Sequence, residues 1–267
     1  MTRQIVIVFA LTFVINLIST LSYSDRIAGI RTGRIAVSLA LFNILVLVSR
    51  TSNSFQSPLL AKHIERNILL GRFAAAESEF RWLLAAATLA TIAGALLIPT
   101  FQRVFGRAVM AFSVYRSVPR LILHSFSKAG IRYIKDAVRL PAKENLTQIR
   151  SLRRVPLLTI IFNGVATAVL TVGVFASLYA GYLNPELRVT ANSLSSVVNG
   201  LATMLMFVFI DPSLSILTDD VMEGKATDSF FRKVVILLVG SRLVGTVAAQ
   251  LMLVPAARVI ALVAQQM

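Results

Sequence analysis

At 267 residues, 56% hydrophobic and only 15% charged, with a mean hydropathy of +0.76, the chain falls well short of the roughly one quarter of charged residues that a water-soluble domain carries. Its net charge of +15, from 27 Lys+Arg against 12 Asp+Glu, lies mostly between long apolar blocks; that pattern points to cytoplasmic loops and anionic lipid headgroups rather than nucleic acid. With no cysteine there is no disulfide, thiol nucleophile or cysteine metal site, and the two histidines, His63 and His124, are far apart.

A hydrocarbon core of roughly 30 Å takes about 20 apolar residues in a helix. Six blocks qualify, at 4–22, 35–53, 82–99, 156–183, 189–211 and 234–255. Lipid cannot satisfy backbone amides and the blocks lack barrel-type alternation, so the expected fold is all-α, a single transmembrane domain over 1–267.

The first block runs straight into Tyr23-Ser24-Asp25-Arg26 with no small-residue cleavage pattern, so it reads as a retained span rather than a signal peptide. Thr12, Asn16, Ser19 and Tyr23 form one polar stripe along it. In the second block only 15 residues separate Arg34 from Arg50, so a full-length helix carries Arg50 into the bilayer or to its outer edge, with Asn43 on the same face. The stretch 54–81, with Ser57-Pro58 and scattered charge, reads as a surface or re-entrant segment.

Loop 100–155 carries twelve Lys/Arg and two acids, Asp136 and Glu144. Together with the first and fifth loops it holds 18 of the 27 basic residues, which places it in the cytoplasm and both termini outside. Within it Arg120, His124, Lys128, Arg132, Lys135 and Arg139 share one helical face, and Val118, Ile122, Phe126, Ala129, Tyr133 and Ala137 another. Such an amphipathic helix suits an anionic membrane surface, although the charge also serves simply to hold the loop inside.

The fourth block bears Thr159, Asn163, Thr167 and Thr171, and the fifth Asn192, Ser196, Asn199 and Thr203. Stripes of this kind glue helices together, but three in six spans also fit a shared polar cavity containing Asn16, Asn43, Asn163 and Asn199. Counted from the fifth loop, Asp211 and Arg242 lie at similar depth, and opposite charges at one depth on consecutive helices are expected to pair. Asp211-Pro212 and Ser57-Pro58 read as helix breaks. A loose match of Ser38–Asn43–Pro58 to Ser195–Asn199–Pro212 hints at two inverted three-helix repeats.

No metalloprotease, hydrolase, phosphate-loop, aspartate-rich phosphotransferase or lipid-phosphatase motif is present, and no cofactor or metal is implied. A membrane phosphotransferase or phosphatase acting through Asp211 or Asp219-Asp220 stays open, as does a non-transporting scaffold whose basic loop docks other proteins.

Two segments carry a resemblance: Thr20–Leu60, TLSYSDRIAGIRTGRIAVSLALFNILVLVSRTSNSFQSPLL, and Asn199–Asp220, NGLATMLMFVFIDPSLSILTDD. Both resemble the Amj family of alternate lipid II flippases, six-span bacterial membrane proteins unrelated in sequence to the larger MurJ type. The resemblance implies movement of an undecaprenyl-pyrophosphate-linked peptidoglycan precursor across the plasma membrane. For that task arginine suits a diphosphate through its fork of donors and permanent charge. Arg26, Arg31 and Arg34 stand at the cytoplasmic mouth and Arg50 toward the exit. Six spans are few for such a groove, so a homodimer is expected.

Overall fold

The computed structural model describes residues 3–71, 76–117, 128–139, 141 and 155–267. They form α1 (Arg3–Thr32), α2 (Ile35–Leu69), α3 (Ala76–Tyr115), α4 (Lys128–Ala137), α5 (Leu157–Leu183), α6 (Arg188–Leu205), α7 (Asp211–Met222) and α8 (Asp228–Gln266). A 3-10 turn at Pro185–Leu187 precedes α6, and a π-helical turn at Met206–Ile210 joins α6 to α7. Among the described residues there is no strand. Six segments are long and apolar enough to cross a membrane: α1, α2, α3, α5, α6–α7 together, and α8. The chain is an all-α, multi-pass membrane protein.

The helices outrun the apolar blocks. An apolar block stops where charge begins, whereas a helix continues into the headgroup region because its backbone bonds remain favourable there. The segment expected at the surface or re-entrant is instead helical on both sides of a turn: α2 runs through Ser57-Pro58 to Leu69, and α3 starts at Ala76. Pro58 removes only the donor that the Ser54 carbonyl would receive, and α2 continues past it. Asp211-Pro212 does not break the fifth span either. Pro212 occupies the first turn of α7, where its missing N–H costs little, and the π turn just before it takes up an extra residue.

The α1–α2 hairpin turns at Gly33 (φ 65°). Its N–H donates to the Ile30 carbonyl (3.2 Å) and the Arg34 N–H to the Gly29 carbonyl (3.0 Å), a Schellman cap that requires the left-handed conformation glycine adopts freely. Of the basic helix expected across 118–139, α4 contains the end; Val118, Arg120, Ile122, His124 and Phe126 lie outside the described residues. α4 folds back on α3, with the Arg107 guanidinium 4.2 Å over the Tyr133 ring and the Tyr133 hydroxyl donating to the Arg103 carbonyl at 3.2 Å.

Each half of the membrane domain has the same plan. α1 packs along both α2 and α3, and α5 along both α6 and α8. The central helices carry a matched stripe, Thr12-x3-Asn16-x3-Thr20 in α1 and Thr159-x3-Asn163-x3-Thr167 in α5. The last residue of each stripe meets a glycine of the third helix. A Cβ on Gly94 would stand 2.7 Å from Thr20, and one on Gly245 would stand 3.0 Å from Thr167 and 2.4 Å from the Gly164 carbonyl. Backbones that approach this closely pack tightly in lipid, where no hydrophobic force draws helices together. Tyr23, late in α1, reaches Asn163, early in α5, while Ile5 and Val8 at the start of α1 share a core with Phe175 and Leu178 toward the end of α5, so the two central helices run in opposite senses. The repeat is therefore inverted, but its equivalence is carried by α1 and α5 rather than by the two proline sites.

Candidate functional site

Polar stripes on a membrane helix are costly unless they face each other or an aqueous space. Here they do both. Thr12, Asn16 and Thr20 each donate to the backbone carbonyl four residues earlier, at 2.8, 3.0 and 2.8 Å. Across the halves, the Tyr23 hydroxyl donates to Asn163 Oδ1 at 2.7 Å, and Asn163 Nδ2 donates to the Leu238 carbonyl at 2.9 Å and to Ser241 at 2.8 Å. The faces left over border a cavity of about 540 Å³, within the roughly 300–1,000 Å³ of sites for drug-sized ligands.

α1 and α5 form the floor of this cavity; α2 and the α6–α7 segment form its walls. The two walls do not pack along each other. Asn43 and Arg50 on α2 and Phe207 on the π turn line the cavity and are exposed, so it opens sideways to where lipid lies. One end is bounded by Arg26 and Asp211, whose side chains approach to 3.7 Å, with Arg26 also donating to Ser215 at 3.2 Å. Toward the other end Gln56 donates to Thr12 at 2.9 Å. Beyond it lies a dry core that includes Leu60, Ile64, Ala176 and Leu178. A buried polar cluster sits there too, with His63 2.8 Å from Glu79 and Asn67 donating to Tyr182 at 3.3 Å.

The four asparagines named from sequence, Asn16, Asn43, Asn163 and Asn199, all line this one cavity, as do Arg26, Arg50, Asp211 and Arg242. Arg31 and Arg34 do not. Arg31 lies five residues beyond Arg26, about 140° further round the helix, and borders a shallow depression with Asp228 and Arg232; Arg34 is exposed beyond the Gly33 turn. Arg50 lies near the middle of α2 rather than at its end. Ser38 donates to the Asp25 carbonyl and Gln56 to Thr12, which fixes α2 against α1; Arg50 falls between them, about 18 Å along the helix from Ser38.

The expected pair of Asp211 with Arg242 is not formed. Asp211 reaches α1 at Arg26, while the Arg242 guanidinium donates to Thr20 (3.2 Å) and Asn16 (3.4 Å), six to ten residues away along the same helix. Counted from loop 5 the two depths differ by only three residues, eleven in α7 and fourteen in α8; what separates the pair is the neighbour each side chain faces, Arg26 for Asp211 and Thr20 and Asn16 for Arg242. The cavity also takes in Asp25, Asn53 and Gln56, which the sequence reading did not assign. Asn53 and Gln56 continue the stripe of Asn43 and Arg50; ending the span at 53 cut it short. Asp25 gave no such signal. Three buried polar atoms at the cavity, Asp25 Oδ1, Thr167 Oγ1 and Asn199 Oδ1, have no hydrogen-bond partner among the described residues.

The profile of the family described as "Alternate to MurJ", Amj, matches residues 11–264. The chain belongs to the Amj family. It is 37% identical over 261 residues to the lipid II flippase Amj of Bacillus subtilis (strain 168), covering 97% of this chain and 96% of that protein. No solved structure matches it. The match runs through both halves of the repeat, so the cavity is built throughout from residues inside the Amj region.

Proposed function

We propose that this Amj-family chain is a lipid II flippase of the bacterial plasma membrane, carrying the diphosphate and sugars through its cavity while the polyprenyl tail stays in the bilayer. The observation that carries the reading is a laterally open cavity holding an arginine, Arg50, whose side chain has no partner among the described residues, in a chain similar over almost its whole length to a lipid II flippase. Arg26 and Arg50 grip the diphosphate. Asn43 and Asn199 offer amides to the sugars; Asn16 and Asn163, whose amides are bonded to Thr12, Arg242, Tyr23, Leu238 and Ser241, hold the cavity floor in place. One chain forms the whole cavity, so this reading does not depend on a homodimer.

Loop 100–155 lies in the cytoplasm and both termini outside, by the charge bias. The Arg26–Asp211 end then faces the side where substrate loads, and the dry end faces out. Exposed Arg132 and Lys135 on α4 rest on anionic headgroups. The enzymatic alternative is disfavoured by geometry: Asp211 is engaged by Arg26, and Asp219 and Asp220 stand outside the cavity. The test is complementation of a strain depleted of its lipid II flippase, with purified protein in liposomes as the second arm. Lipid II should change leaflet and remain chemically unchanged; hydrolysed lipid, or no movement, would refute the reading.

A further inference from the structure

Arg242 is 6% exposed, close to the middle of α8, and borders the cavity. Its partners are neutral: the Thr20 hydroxyl, the Asn16 amide oxygen and the neighbouring Tyr23 hydroxyl. Among the described residues no carboxylate lies within ion-pair distance. A guanidinium stays charged at any physiological pH. Desolvating it without a counter-charge is among the largest penalties a membrane protein carries.

The inverted repeat shows that packing does not require this charge. Arg242 stands three residues before Gly245, the glycine that meets Thr167. In the other half, the residue three before Gly94 is Thr91, which is fully buried and donates to its own helix at the Ala87 carbonyl. The same crossing is thus built once with a threonine and once with an arginine. The arginine is the difference between the halves, and it points to the polar space they share.

We propose that Arg242 is a mid-membrane anion site that receives a diphosphate as its counter-charge. This rests on the flippase reading and adds to it a waypoint between the Arg26 mouth and the dry end. The neutral partners hold the guanidinium in place without neutralising it, so an incoming diphosphate supplies the ion pair the protein leaves unmade. The orphaned Thr167 hydroxyl and Asn199 amide oxygen line the same space, the first able to donate to phosphate oxygens and the second to accept from sugar hydroxyls.

The experiment titrates full-length protein in nanodiscs with undecaprenyl diphosphate, inorganic pyrophosphate or phosphatidylglycerol, and measures affinity and melting temperature for wild type, Arg242→Gln and Arg242→Lys. Wild type should bind both diphosphates, the lipid-linked one more tightly, and phosphatidylglycerol weakly. Arg242→Gln should lose roughly ten- to a hundredfold in affinity for the diphosphates while melting at or above the wild-type temperature, since a buried unpaired charge is gone. Arg242→Lys, which keeps the charge without the fork, should fall between, and carries the comparison if the glutamine variant yields no folded protein. Unchanged diphosphate affinity in the variants, a wild type that binds neither diphosphate, or equal affinity for phosphatidylglycerol would overturn the proposal. Lipid II moved equally by wild type and Arg242→Gln removes this site alone; diphosphate bound through Arg242 with no lipid II movement removes the flippase reading alone.

Discussion

Arg26 on α1 and Asp211 at the start of α7 face each other at 3.7 Å and tie the two halves together at one end of the cavity. The carboxylate side chain is 43% exposed, so the pair contributes at most about 1 kcal/mol to folding. Its larger effect is to occupy Arg26. Asp211→Asn should shift the melting temperature little and raise affinity for undecaprenyl diphosphate several-fold, because the acid in ion-pair contact with the arginine is gone. A titration of the variant beside wild type checks this, and an affinity that falls instead would mean that Asp211 helps rather than competes.

Arg50 separates gripping from snorkelling. Lysine reaches the headgroups about as well as arginine but offers no bidentate fork. Arg50→Lys should express normally yet complement poorly in a flippase-depleted strain, and Arg50→Ala should fail. Full complementation by the lysine variant would remove Arg50 from the diphosphate site.

The glycines at the α5–α8 crossing and in α6 predict opposite signs. Gly245→Ala places a Cβ 2.4 Å from the Gly164 carbonyl, an overpacking worth about 1–3 kcal/mol of destabilisation. Gly200→Ala, with nothing within 4 Å of the new atom, should be neutral or stabilise by up to about 1 kcal/mol through helix propensity. Thermal melts in one detergent compare the two directly.

Sidedness is open to single-cysteine labelling, because the wild-type chain has no cysteine. Lys62→Cys, exposed near the end of α2, should react with an impermeant maleimide on intact cells. Lys225→Cys, after α7, and Ser127→Cys, in the basic loop, should react after permeabilisation. Labelling of Ser127→Cys from outside would invert the orientation.

The spans were legible because apolar blocks of bilayer length admit little besides helix, and the stripes on α1 and α5 were legible because their period is that of a helix. What stayed hidden was rotation and reach. Arg26 and Arg31 look alike in sequence, and only the turn of α1 puts one in the cavity and the other outside it. Asp211 and Arg242 look like partners because depth can be counted from a loop, but depth says nothing about which neighbour a side chain faces or how far each helix projects beyond the bilayer. The end of α2 was missed because Ser57-Pro58 resembles a stop; within a helix one absent donor is a local loss, and Gln56 was hidden with it.

The π turn at Met206–Ile210 stands immediately before Asp211. It holds one residue more than an α turn needs, and each residue of an α-helix advances the chain by about 100°. Expelling that residue would swing Asp211 about a quarter-turn off Arg26 while α6 stayed seated on α5. The π turn thus sets the rotational register of α7, and with it the face of the fifth span on which Asp211 meets Arg26.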